Sequence, residues 1–228
     1  SWLHSEITAH HRAKLSRFVR RDFSSGQLWA LKDPRIARLL PMWKELLASH
    51  AFTPAYLFSV RAPSSVSGSL ERRDGFSREK SMLLWLLHYL EAERDSRGQG
   101  RVFVDYDFFL DHPVAELRRV ENNLGISFPR TPESCEKQLG SFLSKDLRTH
   151  TSKGTATAPG SFEALATELY AALRKAAVDD CQPDHDTIDA IRDRLASEYA
   201  AFSPLVIAHM RTCSQRYGQT KLVLNKLV

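Results

Sequence analysis

Three stretches of this chain end an apolar run on residues that handle negative charge. QLWALKDPR closes on Lys32, Asp33, Pro34 and Arg35, AYLFSVR closes on Arg61, and RVFVDYD carries Tyr106 near its end. If each run is a strand, these residues emerge at strand carboxyl ends, where α/β sheets gather ligands and helix N-termini offer N–H groups to anions. Arginine brings a planar, always charged fork, and serine a small neutral donor. Lys32, Arg61 and the hydroxyls around them therefore suit a nucleotide or a phosphate. Singly, each has an ordinary structural role: Lys32 as a partner of Asp33, Arg61 as an exposed strand terminus, Tyr106 as core. Their corresponding placement is what makes them site candidates.

Other chemistries find less support. Asp184, His185 and Asp186, or His10 and His11, are metal-ligand types, but neighbouring positions on a helix or turn point apart and no further ligands stand at suitable spacing. No Gly-x-Ser-x-Gly elbow marks a hydrolase, and no Walker sequence marks a magnesium-dependent kinase. Cys135, Cys181 and Cys213 are odd in number and widely spaced, which argues against a disulfide framework or a zinc site and for a reducing, cytoplasmic setting.

The elements that would position the candidates follow from pattern. Residues 3–19 alternate apolar and basic positions at helical spacing, with His10, Lys14, Arg17 and Arg21 able to share a solvated face. A strand is expected at about 27–32, followed by a helix entered at Pro34, where the missing proline N–H needs no partner. A second strand is expected over 55–61, then a turn at 62–65 and a helix through Leu70. Ser77 is placed to cap a long helix running to Arg97, a third strand spans 101–107, and another helix begins near Pro113. Strands separated by helices predict parallel pairing in a helix-flanked α/β sheet. Beyond Pro129 strand signals cease. The small-residue stretch 151–161 divides an α/β domain, 1–150, from a loop and helical C-terminal extension, 151–228, whose apolar seam could pack on the sheet or serve self-association.

Composition sets the outer limits. The 228 residues, 43% hydrophobic and 26% charged, exclude disorder, collagen or coiled coil as the whole chain. A formal charge of +5 favours anionic ligands in general and is too mild to imply nucleic acid. No run reaches the 18 or so apolar residues of a membrane span.

With the residues laid out, VRAPSSVSGSLERRDG at 60–75 resembles the 3′-phosphate-binding segment of sulfotransferases that use 3′-phosphoadenosine 5′-phosphosulfate. In that family an Arg ends a strand and a Ser follows eight residues later on the next helix, places filled here by Arg61 and Ser69. A further Arg, twelve residues on in the tyrosylprotein members, matches Arg73. LWALKDPR resembles the family's Lys-Asp-Pro element and VDYDFFLDHP its third landmark, the likeness running from about Leu28 to Phe128 and lying nearest to bacterial sulfotransferase-like proteins.

The resemblance implies a P-loop-like sulfotransferase fold and transfer of a sulfuryl group to a hydroxyl or amine acceptor, such as a small molecule or glycan, without a metal. Lys32 would stabilise the transition state, Arg61, Ser69 and Arg73 would hold the 3′-phosphate, and Tyr106 would contact the adenine nucleotide. Ser152, Lys153 and Gly154 weakly resemble a late family loop over the nucleotide. The family's glycine-containing 5′-phosphosulfate loop has no counterpart before Lys32, since His4 to Arg21 holds no glycine. The expectation is that the loop and first strand precede Ser1. The alternative is a non-catalytic sulfotransferase-like module serving ligand binding or assembly.

Overall fold

The computed structural model of the chain describes residues 2–23, 28–143, 161–198 and 200. A short 3-10 turn, Trp2–His4, leads into α1 (Glu6–Asp22), capped by the Ser5 hydroxyl, which accepts from the Thr8 N–H. Then follow α2 (Ile36–Ser49), β1 (Ala55–Val60), α3 (Pro63–Asp74), α4 (Arg78–Asp95) and β2 (Gly100–Asp105). Next come α5 (Tyr106–Asp111), α6 (Pro113–Leu124), α7 (Glu136–Phe142) and α8 (Phe162–Val178). The described residues are mostly helical around a two-stranded parallel sheet flanked by helices, an arrangement compatible with the α/β class. The chain divides into two compact units, 1–188 and 189–228. In the second, residues 189–198 are helical and Arg192 pairs with Asp189 one turn away.

Parallel strands need a long crossover, and α3 with α4 supplies it. Gly75 ends α3 in the left-handed region at φ 66°, which a residue without Cβ enters at little cost. Ser77 caps α4 as its position predicts, accepting from the Lys80 N–H. Phe58 and Phe103 are register partners, and their rings stack at 4.6 Å. Helices cover β2 on both faces. Val102 and Val104 pack with Val120 of α6, and α8 brings Leu165, Leu169 and Leu173, all almost fully buried. A smaller cluster joins Val19 of α1 to Met42, Trp43 and Leu46 of α2. Among the described residues no helix is long and apolar enough to cross a membrane.

Three expectations are corrected. Residues 28–33 form no strand; Gln27 lies outside the described residues. The apolar signal of this run is met by burial of one ring: Trp29 packs on Phe23 at 4.2 Å and on Phe52 at 5.4 Å while Leu28 and Leu31 stay exposed. The helix expected at Pro34 starts at Ile36, because Pro34 and Arg35 form a turn held by Asp33, whose carboxylate accepts from the Arg35 N–H at 2.8 Å. The third strand stops at Asp105, and Tyr106 opens α5, because the Asp105 carboxylate caps that helix at the Phe108 N–H. The segment around 152–154 lies outside the described residues.

Candidate functional site

Register decides where the site forms. Val60 pairs with Asp105, so the next residues, Arg61 and Tyr106, leave adjacent strands at the same edge. The Arg61 guanidinium lies over the Tyr106 ring at 4.5 Å from its centre. Its backbone is fixed from α4: the Trp85 indole N–H donates to the Arg61 carbonyl at 3.1 Å, and the Arg61 N–H donates to the Tyr89 hydroxyl at 3.3 Å. That hydroxyl donates in turn to the Ser59 carbonyl. Burial pushes the Tyr89 phenol up to about 12, so it remains a donor at neutral pH.

Immediately after Arg61 comes the start of α3, with Pro63 at its first position and Ala62 as cap, a residue that gives the first-turn N–H groups no side-chain acceptor. Positive partial charge and N–H donors therefore follow directly after Arg61 in the chain. Ser69 is half-buried two turns along, about 9 Å up the axis from Pro63 at 1.5 Å per residue. Arg73 lies one turn further on the same face, with a side chain 71% exposed and forked onto Asp74 at 2.7 to 3.1 Å. Exposed pairs of this kind bind weakly, so that fork is easily exchanged for another anion.

The structure thus brings Arg61 and Tyr106 into contact and sets Ser69 and Arg73 along the helix leading away from them. Lys32 is not part of that contact. It is exposed in the irregular stretch before α2, beside Asp33, whose carboxyl is held at about 2 by the Arg35 guanidinium and N–H.

Sequence reasoning missed three members of this edge. Asp105 is 4% exposed and accepts from the Arg174 Nε of α8 at 2.8 Å, which carries a second guanidinium to the carboxyl end of β2. Tyr170, one turn earlier on α8, has its phenol pushed up by burial and by the Asp105 carboxylate, and its ring meets Trp85 edge-on at 6.5 Å. The signal available was Asp105 itself, a carboxylate ending an otherwise apolar strand. Nothing local named its partner 69 residues away.

At the opposite edge of β2 the polar residues serve structure. Arg101, with a side chain 3% exposed, donates to the Glu93 carboxylate at 3.2 Å, to the Glu93 carbonyl at 2.9 Å and to the Gln182 side-chain oxygen at 2.6 Å. Arg97 forks onto the same carboxylate. Burial alone would push the Glu93 carboxyl up, but Arg97, Arg101 and His185 outweigh it and hold it below its usual range. His185 thus faces this cluster, with Nδ1 3.2 Å from Glu93. Among the described residues no three His, Cys, Asp or Glu side chains gather around a possible metal position.

Comparison of the chain with protein-family models, with curated proteins and with solved structures finds no match. The site is therefore described by its own geometry: a cation laid on an aromatic ring, beside an N–H-rich helix start, with hydroxyl and guanidinium groups further along that helix.

Proposed function

We propose that this chain is a 3′-phosphoadenosine 5′-phosphosulfate-dependent sulfotransferase of P-loop-like fold, moving a sulfuryl group to a hydroxyl or amine acceptor, with a glycan the expected class. The observation that carries the reading is the Arg61–Tyr106 contact at the aligned carboxyl ends of two parallel strands, beside the start of α3. The donor carries a 3′-phosphate, and a guanidinium next to helix N–H groups is chemistry suited to it. Arg61 grips that phosphate, Ser69 donates a neutral hydrogen bond, and Arg73 leaves Asp74 to add a second fork. Tyr106 presents its ring to the adenine nucleotide.

The reaction is an in-line displacement in which the acceptor oxygen or nitrogen forms a bond to sulfur and gives up its proton to solvent, while the bond from sulfur to the bridging phosphate oxygen breaks and the electron pair leaves with the phosphate. Negative charge grows on the departing phosphate, so positioning and cationic stabilisation carry most of the catalysis. Lys32 is the residue assigned to supply that cation. Calorimetric titration with 3′,5′-adenosine bisphosphate is the test. Arg61→Ala is expected to weaken binding by at least tenfold, on the order of the loss of one charge-assisted contact. Equal affinity for variant and parent would refute the assignment.

A second reading, a non-catalytic binding or assembly module, is favoured by the separation of Lys32 from the Arg61–Tyr106 contact. Transfer of labelled sulfuryl groups from the donor to a panel of glycans distinguishes the two. An enzyme loses transfer but keeps nucleotide binding in Lys32→Ala, whereas a module transfers nothing even as the parent protein.

A further inference from the structure

The first helix presents a face that the nucleotide site does not use. At 100° per residue, Ile7, His10, His11, Lys14, Arg17, Phe18 and Arg21 fall within about 120° of the α1 circumference. All seven are exposed. The opposite side is fully engaged with the protein: Val19 and Leu15 enter the cluster with Met42, Trp43 and Leu46, Arg12 pairs with Glu45, and Ser16 meets His50 at 2.8 Å. Packing therefore fixes which side of α1 faces outward.

That outer side combines two properties. Lys14 and Arg17 stand on it without a carboxylate among the seven residues; Arg20 lies to one side of it, and the Arg21 charge is shared with Asp22 at 2.7 Å. Alongside these cations, all on one flank of them, are two large apolar groups, Ile7 at 72% and Phe18 at 37% exposure, nearly in line along the axis. Phe18 is steadied by an edge-on contact with Phe23 at 5.3 Å and by the Arg21 guanidinium 5.9 Å from its ring centre. A purely electrostatic partner such as a nucleic-acid backbone rewards the cations and leaves Ile7 in water. A bilayer with anionic headgroups rewards both, because cations meet phosphates while the apolar groups enter the boundary with the acyl chains.

We infer that the outer face of α1 is a docking surface for an anionic phospholipid bilayer, on which the protein sits peripherally with α1 lying in the interface plane. This surface is independent of the nucleotide site. It presents cations along one flank of an apolar line, with the Glu6 and Asp22 carboxylates just outside its two edges.

The test is co-sedimentation of the full chain with vesicles of phosphatidylcholine alone and of phosphatidylcholine with about one third phosphatidylglycerol. Binding is expected only to the anionic vesicles. The exposed double variant Lys14→Gln/Arg17→Gln should partition roughly 10- to 30-fold less well, and Ile7→Ser roughly tenfold less well with charge unchanged. Ile7→Trp should be quenched by brominated phosphatidylglycerol. Equal binding to both vesicle types, binding to neither, or an Ile7→Ser variant that partitions like the parent overturns the proposal. So does a duplex DNA that binds through Lys14 and Arg17 when the anionic vesicles do not.

Discussion

The two ends of β2 carry arginines in opposite circumstances. At its start Arg101 is enclosed, with Glu93, Gln182 and the Glu93 carbonyl around a side chain that is 3% exposed. At its finish Tyr106 supports the half-buried Arg61, and Arg174 reaches Asp105 with 55% of its side chain still in solvent. One strand thus joins a sealed polar cluster to an open one. A buried cation surrounded by acceptors holds elements together, while a half-buried cation laid on a ring contributes less to stability.

Removing partners from the two ends should have unequal consequences. Glu93→Ala is expected to have the largest effect, destabilising by about 3 to 5 kcal/mol because Arg101 stays buried without its carboxylate. Chemical denaturation measures this, and a loss under about 1 kcal/mol would erase the contrast between the ends. Next is Tyr89→Phe, which leaves the Arg61 N–H and the Ser59 carbonyl without that hydroxyl and should cost about 1 to 2 kcal/mol.

The same tyrosine predicts an alkaline limit. A phenol raised from about 10 unfolded to about 12 folded contributes stability that is complete below pH 10 and is lost as pH rises toward 12. Ultraviolet titration should show late-ionising tyrosine in the parent and one fewer in Tyr89→Phe. Ordinary ionisation of every tyrosine near 10 would contradict the burial of this ring.

Arg61→Ala should lower stability by only about 1 kcal/mol, the worth of a partly exposed cation–ring contact, while it lowers affinity for 3′,5′-adenosine bisphosphate far more. A melting temperature that falls as steeply as in Glu93→Ala would move Arg61 to the structural side of the comparison. Smallest of all, Arg73→Ala should change stability by less than about 0.5 kcal/mol, since its pair with Asp74 is exposed.

How much of this was legible depends on the range of the interaction concerned. Ser77 before α4 and Pro113 at the start of α6 act on their own first turns, so local pattern found both helices. The runs at 55–60 and 100–105 are apolar and bounded by breakers, and their parallel pairing follows from the helices between them. The same reasoning misread residues 28–33, where Trp29 satisfies the apolar signal by packing on Phe23 and Phe52. Arg61 and Tyr106 are legible because each stands at or near the end of an apolar run. Arg174 and Glu93 are not, because their roles depend on partners from other elements: α8 over Asp105, and Arg101 against α4. The basic face of α1, read from spacing alone, is exposed as expected.

The pairing of Ala55 with Gly100 has a kinetic corollary. Register partners about 45 residues apart must meet across a helical crossover before the two strands can join, and contacts of such sequence separation form late because loop closure precedes their reward. Arg61 is synthesised long before the ring it rests on. Refolding should therefore restore helical circular dichroism ahead of the proposed nucleotide affinity, with the β1–β2 edge among the last features to mature.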